Sequence, residues 1–213
     1  MLLRCNSLMM NKFYPINTVF LSIIAFTLLS CSEKVIQPEE IPQAKNEVVV
    51  EDTSKADARQ EKYQQGITSM SVGDYAGAQR IFSEFIRANP QMAGAFTNLA
   101  LIHFVNQEYD RALKLVGRAI ELNNLQAQAY NLRAQLLIIN KKVLEARDDY
   151  IRAIELNPQY TNAQYNLALL YDVYLQDVNL AIQHYEIYMS LIEQPDETTQ
   201  SWVERLKRTL KNG

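Results

Sequence analysis

Side chains that could do chemistry are scarce in this sequence. Its 213 residues include two cysteines, Cys5 and Cys31, and two histidines, His103 and His184. A metal centre or a nucleophile–base pair needs several such groups at ligand or hydrogen-bond spacing, and neither histidine has a second ligand at such a spacing. No glycine-rich loop precedes a lysine to cradle phosphate. Asp148 and Asp149 follow Arg147 directly and read as a solvated helix face, not as two carboxylates across a cleft. Both histidines fall in predicted helices and read as surface or half-buried side chains, His103 at a position that often packs. The expectation is a protein that is not an enzyme and uses no cofactor or metal. A net charge of −3 and a pI near 5.5 also give no support for a nucleic-acid surface, which requires a basic stripe.

Cys31 is the one residue whose surroundings suggest a reaction. An apolar run from Val19 to Leu29 follows Arg4 and Lys12 and ends in Leu28-Leu29-Ser30-Cys31. The run is too short to span a bilayer but suits the core of a signal peptide. With leucine three before the cysteine and a small residue just before it, the segment resembles the processing box of bacterial lipoproteins. That resemblance implies cleavage before Cys31, diacylation of its thiol and acylation of the new amino terminus. Each buried methylene stabilises attachment by roughly 0.8 kcal/mol, and stable anchoring takes more than one chain. The absence of an aspartate at Ser32 implies the outer membrane, on its periplasmic face, with the lipid on Cys31 as the membrane contact. Translation could begin at Met1, Met9 or Met10.

Residues 1–30 are thus read as a signal peptide. Residues 31–57, with Pro38, Pro42, several acids and no helical period, are read as the lipidated cysteine and a flexible tether.

Beyond that point the sequence repeats. Asn89, Asn123 and Asn157 are 34 residues apart, and so are Ala78, Ala112 and Ala146. Gly66, Ala100, Ala134 and Ala168 form a third comb at the same spacing. The segments "IRANPQM", "AIELNNL" and "AIELNPQY" line up on it. Small residues at fixed places with this period resemble tetratricopeptide repeats. The resemblance implies an all-α fold, a right-handed α-α superhelix built of helix pairs. Four units are expected over residues 58–196, with helices near 59–71, 75–88, 93–105, 109–122, 127–139, 143–156, 161–174 and 179–192. Phe82, Val116, Tyr150 and Tyr185, then Phe85, Ala119, Ala153 and Tyr188, are expected to fill the layers. Unit four carries one extra residue in "YLQDVN", since Ala181 falls one place late. A capping helix is expected over 197–213, opened by Thr198 or Thr199, with Trp202 as glue, because a terminal repeat has a neighbour on one side only.

In this family the first helix of each pair lines the concave face. Positions two, five, six and nine of those helices supply Gln64, Thr97, Asn98, Gln128, Asn131, Asn162, Tyr165 and Asn166, the candidate partner-binding residues. Asn98 and Asn166 match the asparagine that family members use to hold a peptide. Amides both donate and accept, so they can hold a peptide main chain of many sequences. The lysines and arginines with which chaperone-binding members clamp a terminal carboxylate are missing here. A protein or peptide partner on this face is expected. A cluster of Tyr171, Tyr174, Tyr185 and Tyr188 leaves a homodimer patch open as a second surface. The layout of lipidation box, tether and helix-pair repeats resembles small envelope lipoproteins that assemble pilus or secretin machines. The alternative expectation is an adaptor or regulator of peptidoglycan synthesis or hydrolysis enzymes.

Overall fold

The computed structural model describes residues 53–212. Among them are nine α-helices and no strand: α1 (Thr53–Ser71), α2 (Tyr75–Ala88), α3 (Ala93–Val105), α4 (Tyr109–Leu122), α5 (Ala127–Ile139), α6 (Val143–Leu156), α7 (Thr161–Leu170), α8 (Val178–Leu191) and α9 (Glu197–Asn212). No described helix is long and apolar enough to cross a membrane. The helices pack as antiparallel pairs stacked in chain order. α3 lies on α4, α5 on α6 and α7 on α8; α2, α4 and α6 each also touch the helix that follows; α9 lies on α8. This is the solenoid expected from the 34-residue period. One boundary differs. α1 begins at Thr53, so the last five residues assigned to the tether are helical. "TSKADARQEKY" lacks an apolar stripe but is rich in strong helix formers, so propensity extends the helix where periodicity predicts nothing. Cys31 and the rest of the tether lie outside the described residues.

Each pair turns on one left-handed residue: Gly73 (φ 80°), Gln107 (φ 63°), Lys141 (φ 61°) and Gln176 (φ 56°). The residue after it opens the second helix. Asp74 and Asp177 cap their helices through the side chain, accepting from the N–H of Gly77 at 2.9 Å and of Leu180 at 3.1 Å. The extra residue of unit four has a visible fate. In units one to three the N–H of Asp74, Glu108 and Lys142 closes onto a carbonyl five residues back, on Ser69, His103 and Leu137. In unit four Asp177 closes onto Tyr171, six back, and Tyr171–Leu175 is wound as a π-helix. The insertion is taken up inside the helix end, as single-turn π segments do, and the stacking continues past it.

The small-residue combs are the contact lines of the stack. Ala100, Ala134 and Ala168 are wholly buried, as are Ala78, Ala112, Ala146 and Ala181. At Gly66 a Cβ would sit 2.7 Å from the Phe82 ring, closer than carbon atoms approach. The expected fillers Phe82, Phe85, Val116, Ala119, Tyr150, Ala153, Tyr185 and Tyr188 are all buried. Asn89, Asn123 and Asn157 end the second helices, their backbone N–H groups donating to Phe85, Ala119 and Ala153. The Asn123 and Asn157 side chains then accept from Leu125 and Gln159, shaping the turn into the next unit.

The α9 cap is not a threonine. Asp196 accepts from the Thr199 N–H (3.0 Å) and hydroxyl (2.7 Å) and from the Tyr188 phenol (3.2 Å), tying α9 to α8. Trp202 holds the other side, its indole N–H donating to Asp172 at 2.6 Å with the Arg205 guanidinium over its ring.

Ala112 is wholly buried in the layer of unit two. Ala112→Leu should lower the denaturation midpoint by the equivalent of about 1–3 kcal/mol with the denaturant slope unchanged; an unaltered midpoint in urea titration would show that the comb is not a contact line.

Candidate functional site

The residues singled out for binding lie on the side formed by α1, α3, α5 and α7. Positions two, five, six and nine of a helix fall on one stripe, and the structure divides that stripe in two. Thr97 and Asn131 are buried, while Asn98, Tyr165 and Asn166 are half-buried. Gln64, Gln128 and Asn162 are exposed.

The inner amides are spent on one another. Asn98 Nδ2 donates to the Tyr63 hydroxyl at 2.9 Å, and Asn166 Nδ2 donates to Asn131 Oδ1 at 3.0 Å. Asn131 Nδ2 in turn points to the Tyr160 hydroxyl at 3.4 Å. Thr97 donates to Gln126 Oε1 at 3.2 Å. Between units two and three the amide link is missing, because Leu132 stands where Asn98 and Asn166 stand in their own units. Burial pushes the Tyr63 phenol above its ordinary value, the Asn98 bond pulling the other way, and pushes Tyr160 up to about 12. Both stay protonated at neutral pH and act as fixed dipoles. Asn98 and Asn166, expected to grip a peptide, therefore first join neighbouring helices. Tyr165 packs edge-on against the Tyr185 and Tyr188 rings.

The stripe is also electrically bare. α3, α5 and α7 contain no aspartate, glutamate or lysine. Their one arginine, Arg133, is turned between α5 and α6, where Nε and Nη2 meet the two oxygens of Asp149 at 2.6 Å each. Asp149 is buried, and this bidentate bond, opposed by partial burial, raises the Arg133 pKa. The expected solvated face thus holds for Asp148, which is exposed, but not for Asp149, which is buried against Arg133. The signal was present, since Arg133 interrupts the comb of Leu99 and Leu167, and Asp149 interrupts that of Ile81 and Leu115, in the same unit.

His184 is half-buried, as expected, whereas His103 lies deeper than the expected surface or half-buried position. His103 is buried, with Nδ1 3.2 Å from Glu108. His184 Nδ1 lies 2.8 Å from Oε1 of the buried Gln164, and its ring stacks on Tyr171. Of the tyrosine cluster offered as a dimer patch, Tyr171, Tyr185 and Tyr188 are core; only Tyr174 is exposed. No group of three or more metal-binding side chains occurs among the described residues.

Comparison with known proteins now bears on this architecture. Tetratricopeptide-repeat family models match residues 69–136 and 127–160. Residues 69–160 carry tetratricopeptide repeats. Anaphase-promoting complex subunit 3 of Schizosaccharomyces pombe is 28% identical over 88 residues, 41% of this chain and 13% of that protein. The curated relatives are matched over less than a fifth of their length, between 9% and 18%. Among solved structures, the crystal structure of MamA protein superposes with a TM-score of 0.53 at 24% identity, covering 64% of this chain and 74% of that one. The first repeat domain of Spaghetti (RPAP3), bound to the HSP90 peptide SRMEEVD, superposes with a TM-score of 0.50 at 24% identity, covering 54% and 90%. These likenesses establish the fold. Tetratricopeptide repeats generally serve as scaffolds that bind proteins or peptides.

Two predictions follow from the polar contacts of the face and its flank. Asn131→Ala should destabilise the fold by about 1–3 kcal/mol, because it strips the partners of Asn166 and Tyr160 in a poorly hydrated place; equilibrium unfolding measures it. Burial lowers the His184 pKa. A depressed histidine contributes stability that is complete above its unfolded value near 6.5 and is lost as pH falls through the lower folded value. Wild-type stability should therefore drop on acidification through this window, and His184→Gln should flatten the drop when thermal midpoints are compared pH by pH.

Proposed function

We propose that this chain is a non-enzymatic adaptor of the bacterial envelope. Lipid on Cys31 holds it to the outer membrane at the periplasmic face, and the repeats recruit a protein partner on the α1–α3–α5–α7 side, with Gln64, Gln128, Asn162 and the half-buried Asn98, Tyr165 and Asn166 within the contact area. The observation that carries the proposal is the amide-lined, uncharged stripe on a stack of tetratricopeptide repeats. Such a stripe offers hydrogen bonds and no reactive group. The lipidation box supports the anchored half of the reading, and its short apolar run with a terminal cysteine fits a cleaved signal better than a spanning helix. The process we assign it to is the assembly of a pilus- or secretin-type machine, whose subunits must be held near the membrane before they join a ring. A homodimer would use surface other than the buried tyrosines.

The contrast with the HSP90 peptide bound by the Spaghetti domain supports the choice of partner. That peptide ends in two glutamates, a valine and an aspartate. An acidic tail calls for cations, and the stripe here presents amides instead.

Cys31→Ala should abolish incorporation of radiolabelled fatty acid, and labelling that persists would remove the anchor. Photo-crosslinkers at Gln128 and, separately, at Ile151 of α6 test the adaptor in its native membrane. A pilus or secretin subunit captured at either position supports the assembly reading. Wall synthases or hydrolases would move the protein to peptidoglycan metabolism.

A further inference from the structure

Exposed apolar side chains are spread unevenly over the stack. Among the described residues ten large ones are exposed, and half of them, Ile139, Leu144, Val173, Tyr174 and Trp202, belong to units three and four and the closing helix. Ile139 and Leu144 flank the turn between α5 and α6, and Val173 and Tyr174 lie in the π segment that ends α7. The two turns stand side by side, because Ile138 and Val143 pack into the same core cluster as Tyr171 and Leu175. Trp202 is drawn to this region by its bond to Asp172, the neighbour of Val173. At the opposite edge, where one unit passes to the next, Met92 and Leu125 are exposed in separate turns.

These side chains project from helix ends and do not wall a cleft. Leu144 is 56% exposed and Val173 is 51% exposed. The hollow beside them, of about 370 Å³, is walled mainly by Gln107, Glu108, Asp110, Arg111 and Asn140, and Ile139 alone of the patch reaches it. A folded partner covers apolar surface by matching its shape, whereas a fluid bilayer closes around any projecting tip. The residue types agree with a bilayer. Aliphatic side chains next to tyrosine and tryptophan suit the level where acyl chains meet headgroups. The Trp202 N–H is already bonded to Asp172, so its ring can leave water without stranding a donor. Charge at this edge is balanced. Lys142 and Arg147 pair with Glu145 and Asp148, and Lys141 and Arg205 offset Asp172 and Asp177. The chain's net charge of −3 therefore does not fall on the side that would meet anionic lipid.

We propose that the turn edge of units three and four rests on the lipid bilayer, with Ile139, Leu144, Val173 and Tyr174 inserted at the interface and Trp202 beside them. This deepens the adaptor reading and rests on its lipid anchor at Cys31. The reach is sufficient. The first helices all run toward the turn edge, and the 19 residues of α1 measure about 28 Å. The 22 residues from Cys31 to Asp52 span up to about 70 Å when extended, so the turn edge can return to the membrane that holds the lipid. Insertion is shallow, roughly 5–10 Å. Alone it is weak, but the anchor makes it an intramolecular step at high effective concentration. A lipid on a long tether leaves the stack free to rotate over the membrane. The second contact stands the helices on their ends, and the α1–α3–α5–α7 side then faces along the membrane, toward proteins embedded in it.

The test uses the lipidated chain, purified from its membrane and placed in vesicles of phosphatidylethanolamine and phosphatidylglycerol. In the processed chain Cys31 is acylated and Cys5 is removed, so Val173→Cys introduces the thiol that takes an environment-sensitive fluorophore. Its emission should rise roughly twofold on vesicles and be quenched by lipids spin-labelled near the headgroup. The same fluorophore on Leu125→Cys, at the opposite edge, should do neither. Ile139→Asp with Leu144→Asp should abolish both effects at position 173 with an unchanged melting midpoint, because both side chains are exposed. Equal responses at positions 125 and 173, or indifference to the double substitution, would overturn the proposal. A rise in emission without quenching by lipid would overturn it too, since protein would then cover the patch. Flotation and fatty-acid labelling separate this failure from failure of the anchor. A chain that carries fatty acid and floats with vesicles, while the fluorophore at 173 stays unchanged, keeps the anchored adaptor and removes the docked edge. A chain without fatty acid removes both.

Discussion

The stack depends on the close approach of helices at their small residues. At Gly66 the Phe82 ring leaves no room for one more carbon atom, and Ala100, Ala134 and Ala168, all wholly buried, stand at the same place in their own units. Dispersion contacts fall away steeply with separation, so helices held this close gain from every neighbouring side chain at once. The same closeness fixes the rotation of each first helix about its axis. Once that rotation is set, the stripe opposite the contact line is set as well. The hydrogen bonds across it follow. Asn98 reaches Tyr63 and Asn166 reaches Asn131, and both pairs are 35 residues apart, one repeat plus one residue. A larger residue in the comb would move helices apart and break these side-by-side contacts before any exposed residue changed.

Polar groups in the stack are tolerated because each finds a partner. Among the described residues no buried side-chain nitrogen or oxygen lacks a hydrogen bond. That includes Asn131, Gln164, Asp149 and Thr199, all buried. An unpaired amide at such a place costs more than its bond contributes, so pairing is a condition of having amides there at all. This explains why the interior amides are joined to one another and to the phenols of Tyr63 and Tyr160.

Much of the fold could be read from the sequence, because small residues at fixed spacing have a direct steric meaning. The second helix of each unit was legible from the alanines, and its end from Asn89, Asn123 and Asn157. The start of α1 was not, since its first turns touch no apolar layer and leave no period to detect. The cap at Asp196 was missed for a different reason. Thr198 and Thr199 are plausible caps by type, and only the turn geometry shows that Thr199 donates to the aspartate instead. The candidate face was legible as a set of positions, but the assignment of its asparagines was not. Family likeness makes Asn98 and Asn166 ligand groups, whereas their first partners here lie on the preceding unit. That distinction depends on a reach between helices that one sequence does not display.

Departures from the repeat gather toward the carboxyl end, and they share a consequence. Units three and four hold the Arg133–Asp149 pair, the Gln164–His184 bond and the π segment whose Asp172 receives Trp202. A layer made only of alanine and leucine is nearly the same after a slip of one helical turn, so apolar packing alone discriminates weakly between registers. A bidentate ion pair is satisfied in one register and leaves a buried carboxylate in any other, at a penalty of several kcal/mol. Asp172 acts alike at the end of the stack, since only the observed seat of α9 brings Trp202 to it. The apolar combs therefore hold the helices together, and the few polar departures decide which of the similar stackings is occupied. The extra residue in unit four fits this division. It is absorbed within one helix end, and Asp172 in that same π segment then fixes the position of the closing helix.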